Sequence, residues 1–435
     1  MALYFDIRSD PAAGVDDPRP IAIRTDQVTL TRLLRAEEHE PDDYFKAPPA
    51  QLAFWLTDNW WRLRYECLAS EAMPPEWRLA HELSSIGGGY AWPRIAVWGE
   101  GERVGIASRS DPQGVMGPVR FLTDALLFIA AVEYERAVDQ FLQTAADERV
   151  GYGSDRAALR MLLEALTLER ADPEIADWRR IEAELGFDPS TAPESLMQEI
   201  AQLIQRYGRQ GIEEAAIAAP GAGAAEVLRR EISAAEASPW TCDFSDAVKA
   251  AGKLGNDLSN DPPWTAAEKA AQTVRQALGT KPGPLRNKHL SELVGVGEEA
   301  FRPVPAVSNG NLAYGLRLKS KNRQTDLVAL RSRWTHDRRF EVTRALGDKI
   351  WSKTDPLGPL ARSKTARQKF QRAFAQSLLC PFEDLMNYVN TQEPNEEDVS
   401  AAARHFHVAE RVIQTILVNK HVIRREDFDA MVEAA

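Results

Sequence analysis

Cysteine is scarce. The chain of 435 residues holds three, Cys67, Cys242 and Cys380. They are far apart and odd in number, so neither a disulfide framework nor a thiolate zinc site can be built from their spacing. A reducing cytosol and a cytoplasmic protein are expected. Long apolar runs are lacking too: ALLFIAAV, at 125–132, is the most apolar stretch. It is too short to span a bilayer and reads as buried core, so no membrane partner is expected. The first ten residues, MALYFDIRSD, have no basic region followed by an apolar one, and no signal peptide is expected. There is no G-x-S-x-G nucleophile elbow, and the three cysteines stand in no catalytic setting. GAGA at 221–224 follows no strand and has the wrong spacing for a nucleotide loop, so it reads as a helix boundary.

What is present is the composition of an ordinary globular protein, 44% hydrophobic and 27% charged. The length exceeds what one hydrophobic core can serve, so two or three domains are expected. The net charge of −11 hides an asymmetry. Residues 317–372 hold sixteen Lys and Arg against five Asp and Glu, while residues 1–150, 151–316 and 373–435 are each net acidic. Such a block meets either phosphates or an acidic face of this or another protein. For nucleic acid the candidates are Lys319, Lys321, Arg323, Arg331, Arg333, Arg338, Arg339, Lys349, Lys353, Arg362, Lys364, Arg367, Lys369 and Arg372. Trp334 and Trp351 lie among them as stacking candidates. Such a track would bind phosphates with little sequence preference.

Patterning gives an α+β protein: a mixed N-terminal domain of helix and sheet, a helical middle, and a C-terminal α+β domain. Residues 1–150 form the first, rich in aromatics. There LAFWLTDNWWRLRYECL alternates like a strand, RIAVWGEGERVGIAS reads as a hairpin of 94–98 and 103–107, and a helix is expected from about Thr123. Trp55, Trp60, Trp61, Trp77, Trp92 and Trp98 fall in this domain. In an acidic setting they read as core rather than as a base-stacking surface. Residues 151–237 show helical periodicity, 238–262 a linker rich in proline and glycine, and 263–435 the last domain. Within it the helix after NDPPW is expected to be capped by Thr265, and 397–423 reads as helix, tight turn, helix. The charge of that last unit suits packing better than groove reading.

WRLAHELSSIGGG, residues 77–89, starts like a zinc-protease helix, with His81 and Glu82 at the positions of first ligand and general base. Ser85 stands where the second histidine belongs. The glycines are expected to end the helix one turn on, with Leu79, Ala80, Leu83 and Ile86 as its packing face. His405 and His407 stand at i and i+2, which points them to different sides of a helix. No metal site and no cofactor are expected from either.

The chain from about 263 to 425 resembles the ImmA/IrrE-type metallopeptidases, bacterial zinc proteins that cut transcriptional repressors. Two runs carry the resemblance, in the family's order. RRFEVTRALGD stands where that family has an RRF-(T)-LAHELGH-like helix, and QRAFAQSLLCP where it has E-x-x-A-N-x-F-A-A-x-L-L-M-P. Carried over by position, the first zinc ligand falls on Arg344, the general base on Ala345, the second ligand on Asp348 and the glutamate ligand on Gln368. Arginine does not bind zinc, alanine takes no proton, and the one carboxylate left does not hold the metal alone at useful affinity.

The resemblance therefore implies a degenerate zincin-like domain and a pseudoenzyme. Arg344 and Asp348, at i and i+4, are expected to pair in place of the metal. The functional expectation is a non-catalytic binding or regulatory protein with a protein partner, in repressor control or phage defence. An alternative is a nucleic-acid-binding subunit of a larger bacterial assembly. A third is an active hydrolase with an unconventional site around His81 and Glu82.

Overall fold

The computed structural model describes residues 1–8, 18–36, 40–68, 75–112, 117–146, 153–252, 262–305, 311–320, 325–391 and 393–423. Helices and antiparallel sheets make up the molecule, which is α+β. The chain divides into two compact units, Met1–Pro193 and Glu194–Ala435. The division falls inside the helical middle, so that stretch is shared between the units rather than standing alone. No helix among the described residues is long and apolar enough to cross a membrane.

In the first unit β1 (Leu3–Ile7), β2 (Arg19–Thr25) and β4 (Phe45–Ala47) form one antiparallel sheet, and β3 (Leu33–Arg35) pairs elsewhere. Then come α1 (Pro49–Asp58), α2 (Trp60–Tyr65) and α3 (Pro75–His81). The run expected to be an aromatic strand is thus two helices. Leu52, Leu56, Trp60 and Leu63 recur at spacings of four and three, and all are buried. Proline at the first position of α1 costs nothing there, because that N–H has no helical partner.

The expected hairpin is present as β5 (Arg94–Gly99) and β6 (Arg103–Arg109), paired with Val97 opposite Ile106. β7 (Val119–Phe121) pairs with β3, and β8 (Ala125–Ala130) adds a third strand to the hairpin. ALLFIA is therefore a strand and not the start of a helix. The free edge of β6 offers a full ladder of hydrogen bonds, and that tertiary gain outweighs the helical propensity of Ala and Leu. The helix α4 (Ala131–Ala146) begins only after it, followed by α5 (Gly153–Ala171) and α6 (Pro173–Glu184). The six tryptophans expected as core, Trp55 to Trp98, are all buried, while Trp178 of the same unit is exposed.

The second unit opens with α7 (Glu194–Tyr207), α8 (Arg209–Ala218) and α9 (Ala224–Glu236). The expected linker contributes β9 (Thr241–Cys242) and α10 (Ser245–Ala251); its residues 253–261 lie outside the described ones. Next are α11 (Pro263–Ala277), α12 (Asn287–Val294), β10 (Gly315–Lys319), β11 (Asp326–Ala329), α13 (Thr335–Trp351) and β12 (Leu357–Leu360). The cap of α11 is Pro262, which places Thr265 inside the helix. The strands form one antiparallel sheet in the order β12-β10-β11-β9.

α14 (Ala366–Leu379) packs against both α11 and α13. Its start is fixed by Thr365, whose hydroxyl accepts from the Gln368 backbone N–H. α15 (Phe382–Val389), α16 (Glu396–Phe406) and α17 (Glu410–Asn419) close the chain. The tight turn between the last two sits where expected, with His407 in the left-handed region at φ 54°. Phe406, Val408, Ile413 and Leu417 from this pair join the main core with Phe370 and Phe374.

Candidate functional site

His81 and Glu82 do not form a metal or catalytic pair. The helix stops at His81, and Glu82 is extended and bridges to Ala96 beside β5. Of the expected packing face, Ala80 and Leu83 are buried and Ile86 partly so, but Leu79 is 62% exposed and His81 takes a fully buried place instead. The imidazole stacks on Trp77 with centroids 4.2 Å apart and rings nearly parallel. Its Nδ1 lies 2.6 Å from the carbonyl oxygen of Val97, so that nitrogen carries a proton and donates it. Nε2 lies 2.9 Å from Glu66 Oε2. Arg62 Nε donates to the same oxygen at 2.6 Å. Burial would push the Glu66 carboxyl up, but the hydrogen bonds and charges of His81 and Arg62 hold it below the usual range. With both ring nitrogens committed and no solvent access, His81 is a structural group.

The second unit holds a more connected constellation. Three of the four positions that the metallopeptidase resemblance singles out, Arg344, Asp348 and Gln368, meet in one buried network. Arg344 and Asp348 rise one turn apart from α13, and Gln368 reaches in from α14. The expected direct pair between Arg344 and Asp348 is absent from it. Arg344 instead turns to the end of β12 and to α14. Its Nη1 donates to the Leu360 carbonyl at 3.3 Å. Its Nη2 donates to the Ala361 carbonyl at 2.6 Å, to Gln368 Oε1 at 2.7 Å and to Gln371 Oε1 at 3.0 Å. Gln371 carries the link onward, its Nε2 donating to Asp348 Oδ1 at 2.7 Å.

Asp348 is gripped by two arginines. Arg367 gives Nε to Oδ1 at 2.7 Å and Nη2 to Oδ2 at 3.1 Å, and Arg317 gives Nε to Oδ2 at 2.8 Å. With Gln371 this makes four donors on two oxygens, the full acceptor capacity of a carboxylate. Burial alone would raise the Asp348 carboxyl; Arg367 and Arg317 reverse that and bring it down to about 2. Outer carboxylates balance the arginines: Asp326 accepts from Arg317 at 2.6 Å and Asp355 from Arg367 at 2.9 Å. Glu214 on α8 accepts from Thr365 at 2.9 Å and Gln368 at 3.1 Å, and burial pushes its carboxyl up. Arg344 has no carboxylate in contact, and burial lowers its guanidinium to about 9. Ala345, the fourth position, is fully buried in the apolar core. Among the described residues, no three His, Cys, Asp or Glu side chains gather as a metal-ligand set.

The basic block serves two different purposes. Arg338, Arg339, Lys364 and Arg367 are buried, and so cannot meet a phosphate. Arg338 donates to the carbonyls of Ala300 and Ser332, and Arg339 to Leu285 O and the Asn287 side chain. Arg367 is held by Asp348. Guanidinium groups here tie loops to helices through backbone carbonyls, a role that composition does not distinguish from a surface charge. Lys349 is half-buried and pairs with Asp326; Lys369 and Arg372 are also half-buried. Lys319, Arg331, Arg333, Lys353 and Arg362 are exposed, with Trp334 and Trp351. Lys321 and Arg323 lie outside the described residues.

The exposed cations are not one track. Lys353 follows the C-terminal end of α13 and Arg333 precedes its N-terminal end. That helix has 17 residues, which at ~1.5 Å per residue separates them by roughly 25 Å. Strand register puts Lys319 with the Lys353 end and Arg362 with the Arg333 end, because Leu318 faces Leu357 and Gly315 faces Leu360.

The chain matches no protein-family model, no curated protein and no solved structure.

Proposed function

We propose that this chain is a non-catalytic binding and regulatory protein, its C-terminal part a metallopeptidase-like scaffold in which a polar lock stands where the metal would be. One observation carries the reading. Positions 344, 348 and 368, singled out as ligand positions by two separate sequence runs, have side chains that join one hydrogen-bonded network. In that network Asp348 has all four acceptor directions filled by Arg317, Arg367 and Gln371. A metal could claim the carboxylate only by taking it from two buried guanidinium groups, which would keep only their outer carboxylates, Asp326 and Asp355, and that is unfavourable. The network holds α13, α14, β10 and the end of β12 in fixed geometry, the task zinc performs in a working site.

A protein partner follows from this reading, since a scaffold kept without its chemistry acts by binding. Repressor control or phage defence is the setting suggested by the family association, an analogy of fold and not of site. The deciding measurement is metal analysis of the purified protein with thermal melting in chelator. No stoichiometric zinc and an unchanged melting temperature are expected. One zinc per chain, or a chelator-dependent drop in melting temperature, would overturn the proposal.

A further inference from the structure

α5, in the first unit, shares no group with the lock and is apolar on two sides. Leu159 and Leu166 are buried on one of them, with Leu163 packed against the same core, where the helix meets α1, α4 and α6. Glu169 and Arg170 also turn to the protein, the first accepting from Trp61 and Arg179 and the second pairing with Asp139. On the other side Ala158, Met161, Ala165 and Leu168 are all exposed, Met161 and Leu168 at 70% each. At ~100° per residue these four fall within an arc of about 80°, so they form a stripe and not scattered contacts. A helix that is apolar on both faces is one that is covered on both.

The stripe has its own order. Its spacing is three, four and three, that of the a and d positions of a helical seam. Alanine stands at both a positions and a long side chain at both d positions. Asp172, next in the repeat, closes the seam, because its carboxylate caps α6 by accepting from the Glu174 and Ile175 backbone N–H groups. The alternation is symmetric about residue 163. Met161 and Ala165 stand two residues either side of it, and Ala158 and Leu168 five. A two-fold axis through that point, with the helices antiparallel, sets each large side chain on an alanine of the identical helix. Arg160 and Glu164, both exposed on one flank of the stripe, have their midpoint at 162, one residue and ~1.5 Å away. The same axis therefore brings each arginine beside the partner's glutamate. Size and charge complement themselves under one rotation, which a groove for an unrelated segment has no reason to do.

We propose that α5 is a homodimerisation helix, packing antiparallel on a second copy of this chain through Ala158, Met161, Ala165 and Leu168. Met161 fills the space over Ala165 of the partner subunit, and Leu168 the space over Ala158 of the partner subunit. The alanines let the two backbones approach closely. A seam of about three turns is smaller than the roughly 800 Å² per partner of a standard interface, so the dimer is reversible, with a dissociation constant on the order of 10 µM.

The test is sedimentation of the full chain between about 1 and 100 µM. A monomer that converts to a dimer across that range is expected. Met161→Glu should hold it monomeric, because the seam would bury an unpaired charge. Ala165→Leu is the sharper variant: it adds apolar surface yet collides with Met161 of the partner subunit, and should weaken association about tenfold or more. Exchanging the pair, Met161→Ala with Ala165→Met, again sets one large side chain on one small one and should restore association to within about threefold of the native chain. The substituted side chains are exposed, so an unchanged melting temperature in dilute solution serves as the control. A chain that is monomeric throughout the range overturns the proposal. So does association that Ala165→Leu leaves unchanged or strengthens, since a stripe that merely seeks apolar cover, or serves another protein, gains from a larger side chain. An exchanged pair that stays monomeric overturns it as well. The scaffold proposal concerns metal and the other unit, so the two readings stand or fall separately.

Discussion

Arg367 and Asp348 form a two-pronged ion pair in full burial, Nε to Oδ1 at 2.7 Å and Nη2 to Oδ2 at 3.1 Å. Planar guanidinium and planar carboxylate match edge to edge, and Arg317 closes on the same carboxylate from β10. Replacing Asp348 by alanine removes the carboxylate that two buried arginines share and leaves Arg317 with Asp326 and Arg367 with Asp355. We expect Asp348→Ala to cost about 3–5 kcal/mol, read as a lower urea midpoint. A loss below about 1 kcal/mol would mean that the network relaxes freely and locks nothing.

The same carboxylate makes stability sensitive to acid. Its folded value is about 2 against an ordinary 3.8, so at low pH the unfolded chain binds a proton that the folded chain does not. The contribution is complete above about pH 4 and is lost as pH falls toward 2. At ~1.4 kcal/mol per unit it amounts to roughly 2 kcal/mol. Denaturation midpoints measured from pH 5 down to 2.5 should fall more steeply in the native chain than in Asp348→Asn.

Gly358 sits under the lock. A Cβ there would lie 1.7 Å from Asp348 Oδ2 and 3.0 Å from Arg317 Nε. Gly211 plays the same part on α8, where a Cβ would lie 2.5 Å from the Leu357 carbonyl oxygen. Gly358→Ala and Gly211→Ala should each destabilise by about 2 kcal/mol or more, through overpacking. Soluble protein with a native melting temperature from either variant would contradict this packing.

His81 and Glu82 can be ranked by substitution. His81→Ala removes the Trp77 stack and leaves the Val97 carbonyl without its donor, and should cost about 2–4 kcal/mol. Among the described residues Glu82 pairs with Arg78, at 3.8 Å and partly exposed, so Glu82→Ala should shift stability by about 0.5 kcal/mol or less. A general base would show the opposite order, with a lost activity at unchanged stability.

Legibility followed the physics of each signal. The hairpin of β5 and β6, the helices of the C-terminal part and the turn at His407 were readable because local pattern and tertiary structure agree there. β8 was not, because its pairing with β6 is a long-range fact that a window of residues does not contain. Alternation misread α1 and α2, where aromatics at neighbouring positions blurred a spacing of four. At the site, sequence named Arg344, Asp348 and Gln368, and structure joined them. It missed Arg317, Gln371 and Glu214, which come from β10, α14 and α8. Charge counting could not foresee that a third of the basic block is interior, since the carbonyls that hold Arg338 and Arg339 belong to the backbone and leave no trace in composition.

Two residues at the sheet's end set where this unit can be cut. β9 is only Thr241–Cys242, yet it pairs with Asp326 and Leu327 and covers the outer side of β11. A fragment starting at residue 263, where the metallopeptidase resemblance begins, would lack β9 and leave that row of N–H and C=O groups bare. It would also lack Glu214, the acceptor for Thr365 and Gln368. Bare strand edges recruit other chains. Such a fragment should aggregate, and the smallest autonomous piece of this part begins near residue 194.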